Sequence, residues 1–403
     1  MISESARSFD RQWADLAEIG RHPHTGGYRR YALTREDHDL REWFAGEAAG
    51  RGLEVITDRV GNQWAWWGDP DTTPGVVTGS HLDSVPDGGA YDGPLGVISA
   101  FVALDRLRAE GLVPQRPLGI VNFADEEGAR FGIACAGSRV LTGALTPGRA
   151  LGLRDGDGIS MAEGLRAAGR DPEWLGPDPE ALRRVGAFVE LHVEQGRGLI
   201  DLDQPVALGT DIWPHGRWRL DFPGEANHAG TTRLEDRRDA MIGLATTVLA
   251  ARSAAADHGC VATVGKTRLT PGGVNAIPSA ATGWLDARGA DESAVRRTVG
   301  EVTASATAWG AEVTEESWTP TTRFDLELLA RLRRVLPAAP LLGTGAGHDA
   351  GILATAGIPT GMIFVRNPTG VSHSPAEHAE RADCLAGVAA LADVLTELVG
   401  ERP

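Results

Sequence analysis

The chain has 403 residues, 42% of them hydrophobic, and a formal net charge of −16. That is more chain than one compact core organises, so two domains are expected. Acidity of this degree argues against nucleic acid or a membrane surface as partner, and any anionic ligand must be held by a few placed arginines.

Residues 5–20 have the pattern of an amphipathic helix, and 34–51 that of a second, starting near Thr34 with acids in its first turn. "LEVITDRVGNQWAWWG" (53–68) then alternates as a hairpin-like pair of strands. "GVVTGSHLD" (75–83) is a short apolar run that ends in polar residues and suits a buried strand, and "GVISAFVALDRLRAEG" (96–111) has helical periodicity with a terminal glycine. "RPLGIVNFADEEG" (116–128) and "GAFVELHVEQG" (186–196) repeat the pattern of a buried strand followed by polar residues. The stretch 152–180, rich in Gly and Asp, reads as a surface excursion. Strands that alternate with helices, with polar residues just beyond the strand ends, predict an α/β domain whose site lies at the carboxyl edge of a mostly parallel sheet. From "WRLDFPGEANHAGTT" to about residue 320 the order changes to strand, long helix (Asp236 to His258), two strands, helix, strand. That order predicts an α+β unit resembling a split βαβ arrangement. The α/β texture returns with "TGMIFV" (360–365) and a last helix at 376–400. The expected division is a discontinuous catalytic domain, 1–209 and 323–403, interrupted by an inserted domain, 210–322.

Cys135, Cys260 and Cys384 are far apart and form no CxxC pair, which points to a reduced compartment without a disulfide framework. No signal peptide is recognised and no apolar run approaches the roughly 20 residues that span a bilayer, so a cytoplasmic protein is expected. Lys266 is the single lysine, in strand-like surroundings, and lysine-based chemistry would rest on it alone.

Asp125, Glu126 and Glu127 stand in a row behind an apolar strand. Burying three adjacent carboxylates costs several kcal/mol unless a cation sits among them. Taken singly, a histidine after a strand is more often a hydrogen-bonding residue than a metal ligand. Taken together, His81, His192, His373, Asp92 and Glu127 all fall at candidate sheet ends. Nitrogen and oxygen donors without thiolate suit zinc, manganese, cobalt or nickel. Five donors are few for two separate closed sites but suit two metals sharing one bridging carboxylate. Asp92, followed by the small Gly93, fits that part. In the pair His81 and Asp83, a carboxylate two residues on can accept the second ring N–H and set the imidazole tautomer.

"HLDSVPDGGAYDGPLGV", "DEEGARFG", "ELHVEQG", "GEANHAGTT", "GGVNAIP" and "GAGHDA" resemble the M20 metallopeptidase superfamily, and within it the branch of N-carbamoyl-L-amino-acid hydrolases, allantoate amidohydrolases and β-ureidopropionases. The resemblance runs from about residue 20 to residue 385. It implies a catalytic domain with two divalent metal ions per subunit and an inserted ferredoxin-like α+β domain that acts as lid and forms a homodimer. Carried over residue by residue, His81, Asp92 and His192 would hold one metal, and Asp92, Glu127 and His373 the other. Glu126 would be the general base. In the lid, His228 would steady the oxyanion, while Asn275 and Arg288 would grip the carboxylate of a small anionic amino-acid-derived substrate. Gln195 is expected on the ureido or amide group, and His348 on the pocket wall. Peptidase relatives commonly carry a carboxylate where His192 stands, which favours ureide or amide hydrolysis over peptide cleavage. Hydrolysis of other N-acyl amino acids, such as N-formyl or N-acetyl, and an aminopeptidase or dipeptidase activity remain the alternatives. The chain departs from the pattern in "AGTTRLEDRRDA" after His228, in Trp213 and His215 at the start of the lid, and in Arg366 and Asn367 before His373. These places lie near where a substrate side chain or second carboxylate is expected.

Overall fold

The computed structural model describes residues 3–400. Two compact units emerge: Asp211–Thr322 is one, and the segments up to Thr210 and from Arg323 form the other.

The first unit is built on a sheet of nine strands among the described residues. Its centre is four parallel strands in the order Leu118–Phe123, Gly75–His81, Val185–Val193 and Thr360–Val365. Nearly every residue in them is buried. Side chains that are apolar on both faces mark strands covered by helices on both sides, which is why these runs are continuous in hydrophobicity and not alternating. Gln63–Trp67 adds antiparallel to one flank and Val206–Ile212 to the other, so the sheet is mixed. Glu54–Thr57 pairs antiparallel with Gln63–Trp67, the expected hairpin. Helix Pro94–Ala109 lies in the core with Leu95, Ile98, Phe101, Leu104 and Leu107 fully buried, and helix Arg381–Val399 packs on it. Each such side chain contributes about 1.5–3 kcal/mol by leaving water. This is the rigid platform beneath the sheet's carboxyl edge.

Element ends differ from the sequence expectation for identifiable reasons. The first helix, capped by Ser3, stops at Leu16, whose carbonyl accepts from Arg30, while the same guanidinium also bonds the Ile19 carbonyl in the turn beyond. The second helix, Arg35–Gly50, starts where its Thr34 cap and the acids Glu36 and Asp37 place it. The last helix begins only at Arg381 because residues before it, Glu377 among them, are folded into a loop. The 152–180 segment is more than an excursion. Helix Met161–Ala167, closed by a Ser160/Glu163 capping box, buries Met161 and Leu165, and Asp155 pairs with Arg130 at 3.1 Å.

The second unit has a four-stranded antiparallel sheet in the order Glu312–Thr319, His215–Pro223, Ala280–Arg288, Val261–Thr270. Helices Ala240–His258 and Glu292–Ala308 supply the apolar cover, with Trp218, Leu220, Phe222, Leu244, Leu285, Val295 and Val302 in the core. The chain order is β-α-β-β-α-β. The long helix starts at Ala240, not Asp236, because the Asp239 side chain caps it and 234–236 is a separate short turn. Among the described residues no helix is long and apolar enough to cross a membrane.

Candidate metal centre

Parallel strands bring their carboxyl ends to one edge. His81 ends its strand, the 125–127 acids follow Phe123, His192 is next to last in its own strand, and the loop after Val365 carries His373. Asp92 lies just before helix Pro94–Ala109, whose cap Gly93 has φ +84°. A Cβ on Gly93 would fall 2.5 Å from the His81 ring, so glycine is required both by the backbone and by that imidazole.

The expected donors converge. Asp92 directs Oδ1 toward His192 Nε2 at 3.1 Å and His81 Nε2 at 3.6 Å, and Oδ2 toward His373 Nε2 at 3.4 Å. Glu127 Oε2 is 3.6 Å from His373 Nε2. Two sets, His81–Asp92–His192 and Asp92–Glu127–His373, each present one donor atom per residue, all within 4.8 Å of one another. The other ring nitrogens are occupied by carbonyls: Nδ1 of His81 lies 3.1 Å from the Asp83 carbonyl, and Nδ1 of His192 lies 2.8 Å from that of Val193. Protonated Nδ1 atoms leave the Nε2 lone pairs facing inward. His81 Nε2, His192 Nε2 and Glu127 Oε1 are buried without a hydrogen-bond partner. Buried polar atoms are ordinarily partnered. Converging imidazole and carboxylate donors left open in this way fit divalent cations.

The electrostatics restate the crowding read from the sequence. Burial, with Asp349 and Glu127 adding to it, pushes the Glu126 carboxyl well above its usual range against the pull of His81. Burial and then Asp92 push Glu127 up to about 7. Burial also works to raise Asp92, but the imidazoles of His192, His373 and His81 outweigh it and hold this carboxyl well below its usual range. Positive charge placed among these groups favours their ionised forms.

Asp83 meets the centre at more than one point. Its carboxylate is 3.4 Å from His81 Nδ1, farther than its own carbonyl, and it accepts the backbone N–H groups of Glu126 (3.2 Å) and Glu127 (3.0 Å). It therefore sets the loop that separates the two glutamates. Glu126 Oε2 is 3.8 Å from His81 Nε2, and Glu126 Oε1 accepts the Cys135 thiol at 3.1 Å. Gln195 donates its amide N–H to Asp92 Oδ2 at 2.9 Å and to Ser372 at 3.0 Å, leaving Oε1 buried and unpartnered. His348 follows the glycine-containing loop 345–347, is 3% exposed, and its ring meets His192 edge-on at 4.5 Å.

Sequence reasoning missed Glu190, Glu377 and Cys135. Glu190 is fully buried and accepts from the Ser80 hydroxyl at 2.7 Å and the Ala350 N–H at 3.1 Å. A signal existed: Glu190 and His192 alternate onto one face of an otherwise apolar strand. For Cys135 no local pattern pointed to the site.

The other three expected residues lie in the second unit. The short ladder Asn227–His228 with Ala276–Ile277 brings His228 beside Asn275, and both are exposed. Gly230 N–H donates to His228 Nδ1 at 3.0 Å, which leaves Nε2 as the protonated nitrogen. Arg288 closes strand Ala280–Arg288, and its Nε–Nη2 edge is held bidentately by Asp286 at 2.6 and 2.9 Å. Two of the departures from the family pattern have structural partners. Arg366 is forked onto Asp383 at 2.8 and 3.0 Å, and the fully buried Asn367 ties its loop to Thr369, Gly370 and Val371.

Residues 77–397 match peptidase family M20/M25/M40. The chain is 36% identical to N-carbamoyl-L-amino acid amidohydrolase of Geobacillus stearothermophilus, over 95% of this chain and 96% of that one. It is 30% identical to allantoate amidohydrolase of Escherichia coli over the whole of both. A crystal structure of an amidase of the hydantoinase/carbamoylase family from Burkholderia vietnamiensis, 30% identical, superposes with a TM-score of 0.87, covering 99% of this chain and 98% of that one. The match over most of the chain and the full-length similarity place this chain in peptidase family M20/M25/M40.

Proposed function

We propose that this protein hydrolyses a C–N bond of a small linear ureide, an N-carbamoyl-L-amino acid or allantoate, with two divalent ions bound at the sheet edge. The observation that carries the reading is Asp92, whose two oxygens face two different donor sets. His81 and His192 would complete one set, Glu127 and His373 the other. Zinc, manganese, cobalt or nickel held there would supply Lewis acidity toward the scissile carbonyl and make the attacking water more acidic. Glu126 stands outside both sets. It takes the proton from that water and returns it to the leaving nitrogen, as a general base and then acid. Gln195 offers Oε1 to a ureido N–H. His348, pushed well below its ordinary value by burial and then by His192, stays neutral and lines the wall.

We assign substrate capture to the inserted unit, with His228 on the oxyanion and Asn275 and Arg288 on the carboxylate. Because Asp286 already holds one edge of Arg288, the guanidinium is oriented before substrate arrives. We further assign homodimer formation to this unit. Val261–Thr270 is an edge strand, and Met241, Ile242, Val248 and Leu249 expose one apolar face of the adjacent helix. An unpaired strand edge beside an exposed apolar stripe favours a second copy. The three free cysteines accord with a reduced, cytoplasmic setting.

The test is a panel assay of protein chelated and then reloaded with each metal. Allantoate, several N-carbamoyl-L-amino acids, N-formyl-glutamate, an N-acetyl amino acid and a dipeptide are compared. Turnover of a ureide is expected. Turnover of the dipeptide alone would replace this reading with a peptidase.

A further inference from the structure

Glu377 is 5% exposed and lies four residues beyond His373. Its Oε1 accepts two successive backbone N–H groups, from Tyr91 at 2.8 Å and from Asp92 at 2.9 Å. Its Oε2 is 3.4 Å from the Ser372 hydroxyl, which is itself 3.4 Å from Asp92 Oδ2. Its own N–H closes a turn onto the Ser374 carbonyl at 3.0 Å. The loop before Asp92 is shaped around it: a Cβ on Gly89 would fall 2.4 Å from the Glu377 Cβ. Burying a carboxylate is costly, and two charge-assisted bonds to adjacent peptide groups are the compensation seen here.

We propose that Glu377 is a positioning residue that clamps the Asp92 backbone to the His373 loop and so assembles the donor set Asp92, Glu127 and His373. The proposal rests on the two-ion reading above. The two sets depend on the clamp unequally. His81 and His192 are delivered by buried strands paired on both sides. Asp92 and His373 sit on loops, and His373 has φ +54° with its side chain 51% exposed. Glu377 joins those two loops, about 285 residues apart in sequence, through the Asp92 backbone, beside the side-chain links from Ser372 and Gln195 to Asp92 Oδ2. Without it, the strand-borne set keeps two rigid donors, while the other keeps only Glu127, whose peptide is held by Asp83.

The experiment measures zinc or cobalt per subunit by elemental analysis at buffered free metal, with competitive titration to resolve the two affinities. Wild type is expected to bind two ions. Because Asp92 is shared, Glu377→Ala should weaken the first ion by less than about tenfold and the second, which also loses the His373 loop, by roughly 10- to 100-fold, the usual effect of removing a residue that orients ligands. Glu377→Gln retains an acceptor oxygen and should show a smaller, equally selective loss. Two ions at wild-type affinity in both variants overturns the proposal, as does parallel loss of both ions, which would indicate general unfolding of the loop. If Glu377→Ala does not fold, Glu377→Gln decides by the same two criteria. A wild-type protein that binds a single ion removes the two-ion reading itself, and this proposal with it.

Discussion

At the residue scale, the chemistry depends on neighbours being made to differ. Glu126 and Glu127 are identical side chains one peptide apart, yet Asp83 accepts both their N–H groups and splays the carboxylates toward different partners, Cys135 for one and the His373 side for the other. Glu126→Gln should leave metal content unchanged and lower kcat by roughly 10²- to 10⁴-fold, since shape is kept and the proton acceptor is lost. Glu127→Gln should instead reduce bound metal. Elemental analysis beside steady-state rates separates the two, and exchanged phenotypes would reverse the assignment. Gly93 is a second point of leverage. Alanine there meets an unfavourable positive φ outside the left-handed helical region (φ +84°, ψ −61°), costing about 1–3 kcal/mol, and strikes the His81 ring. Gly93→Ala should therefore lower both thermal stability and metal affinity, and unchanged affinity in a folded variant would show that the ring simply moves aside.

At the element scale, the parallel core exports His81 and His192 at one end of its strands, and these two donors are as rigid as the sheet. In the inserted unit, strand Ala280–Arg288 does comparable work: alternation puts Asp286 and Arg288 on one face, and their bidentate pair orients the guanidinium. Burial tends to raise the Asp286 carboxyl, but its bonds to Arg288 outweigh that and hold it below its usual range. Charged hydrogen bonds contribute about 1.5–3 kcal/mol, so Arg288→Ala should raise KM for acid substrates by roughly tenfold or more and much less for the matching amide or ester. Arg288→Lys keeps charge but loses the fork and should already weaken binding. An equal rise for acid and amide would remove Arg288 from the substrate carboxylate.

At the scale of the whole molecule, two properties can be separated by experiment. Chelation should abolish turnover, with Mn, Co, Ni or Zn restoring it; full activity in protein shown by elemental analysis to be metal-free would sink the metal reading. The proposed dimer rests on the exposed stripe that includes Leu249, 70% exposed, so Leu249→Glu should shift the protein toward monomer in analytical ultracentrifugation. If the inserted unit serves the partner's centre, mixing inactive Glu126→Gln with inactive Arg288→Ala subunits restores activity, because one site in each mixed dimer then carries both defects and the other none. Verified mixed dimers without recovery would place Arg288 at the centre of its own chain.

Much of the centre was legible in order along the chain. Apolar runs ending in histidine or acids identified the parallel strands, since residues buried on both faces leave a continuous hydrophobic signature, and the donors His81, Asp92, Glu127, His192 and His373 stood at the ends of those runs or in the loops beyond them. Hydrophobic periodicity likewise revealed the helices, but not where they begin and stop: Arg30 bonding to the Leu16 carbonyl at the end of the first helix and Glu377 folding back before the last are contacts made outside the helices themselves. The same limit explains Arg366 and Asn367, which looked available to a substrate until Asp383 and a loop backbone were found to hold them. Composition, patterning and motif spacing determined what kinds of atoms this protein gathers and on which elements. Direction was decided only by the tertiary structure: which Asp92 oxygen faces which imidazole, and which buried carboxylate holds a peptide group in place of a cation. The reason is physical. Periodicity reports burial, a property of one residue against solvent, whereas the orientation of a polar group depends on partners that only folding brings within hydrogen-bond reach.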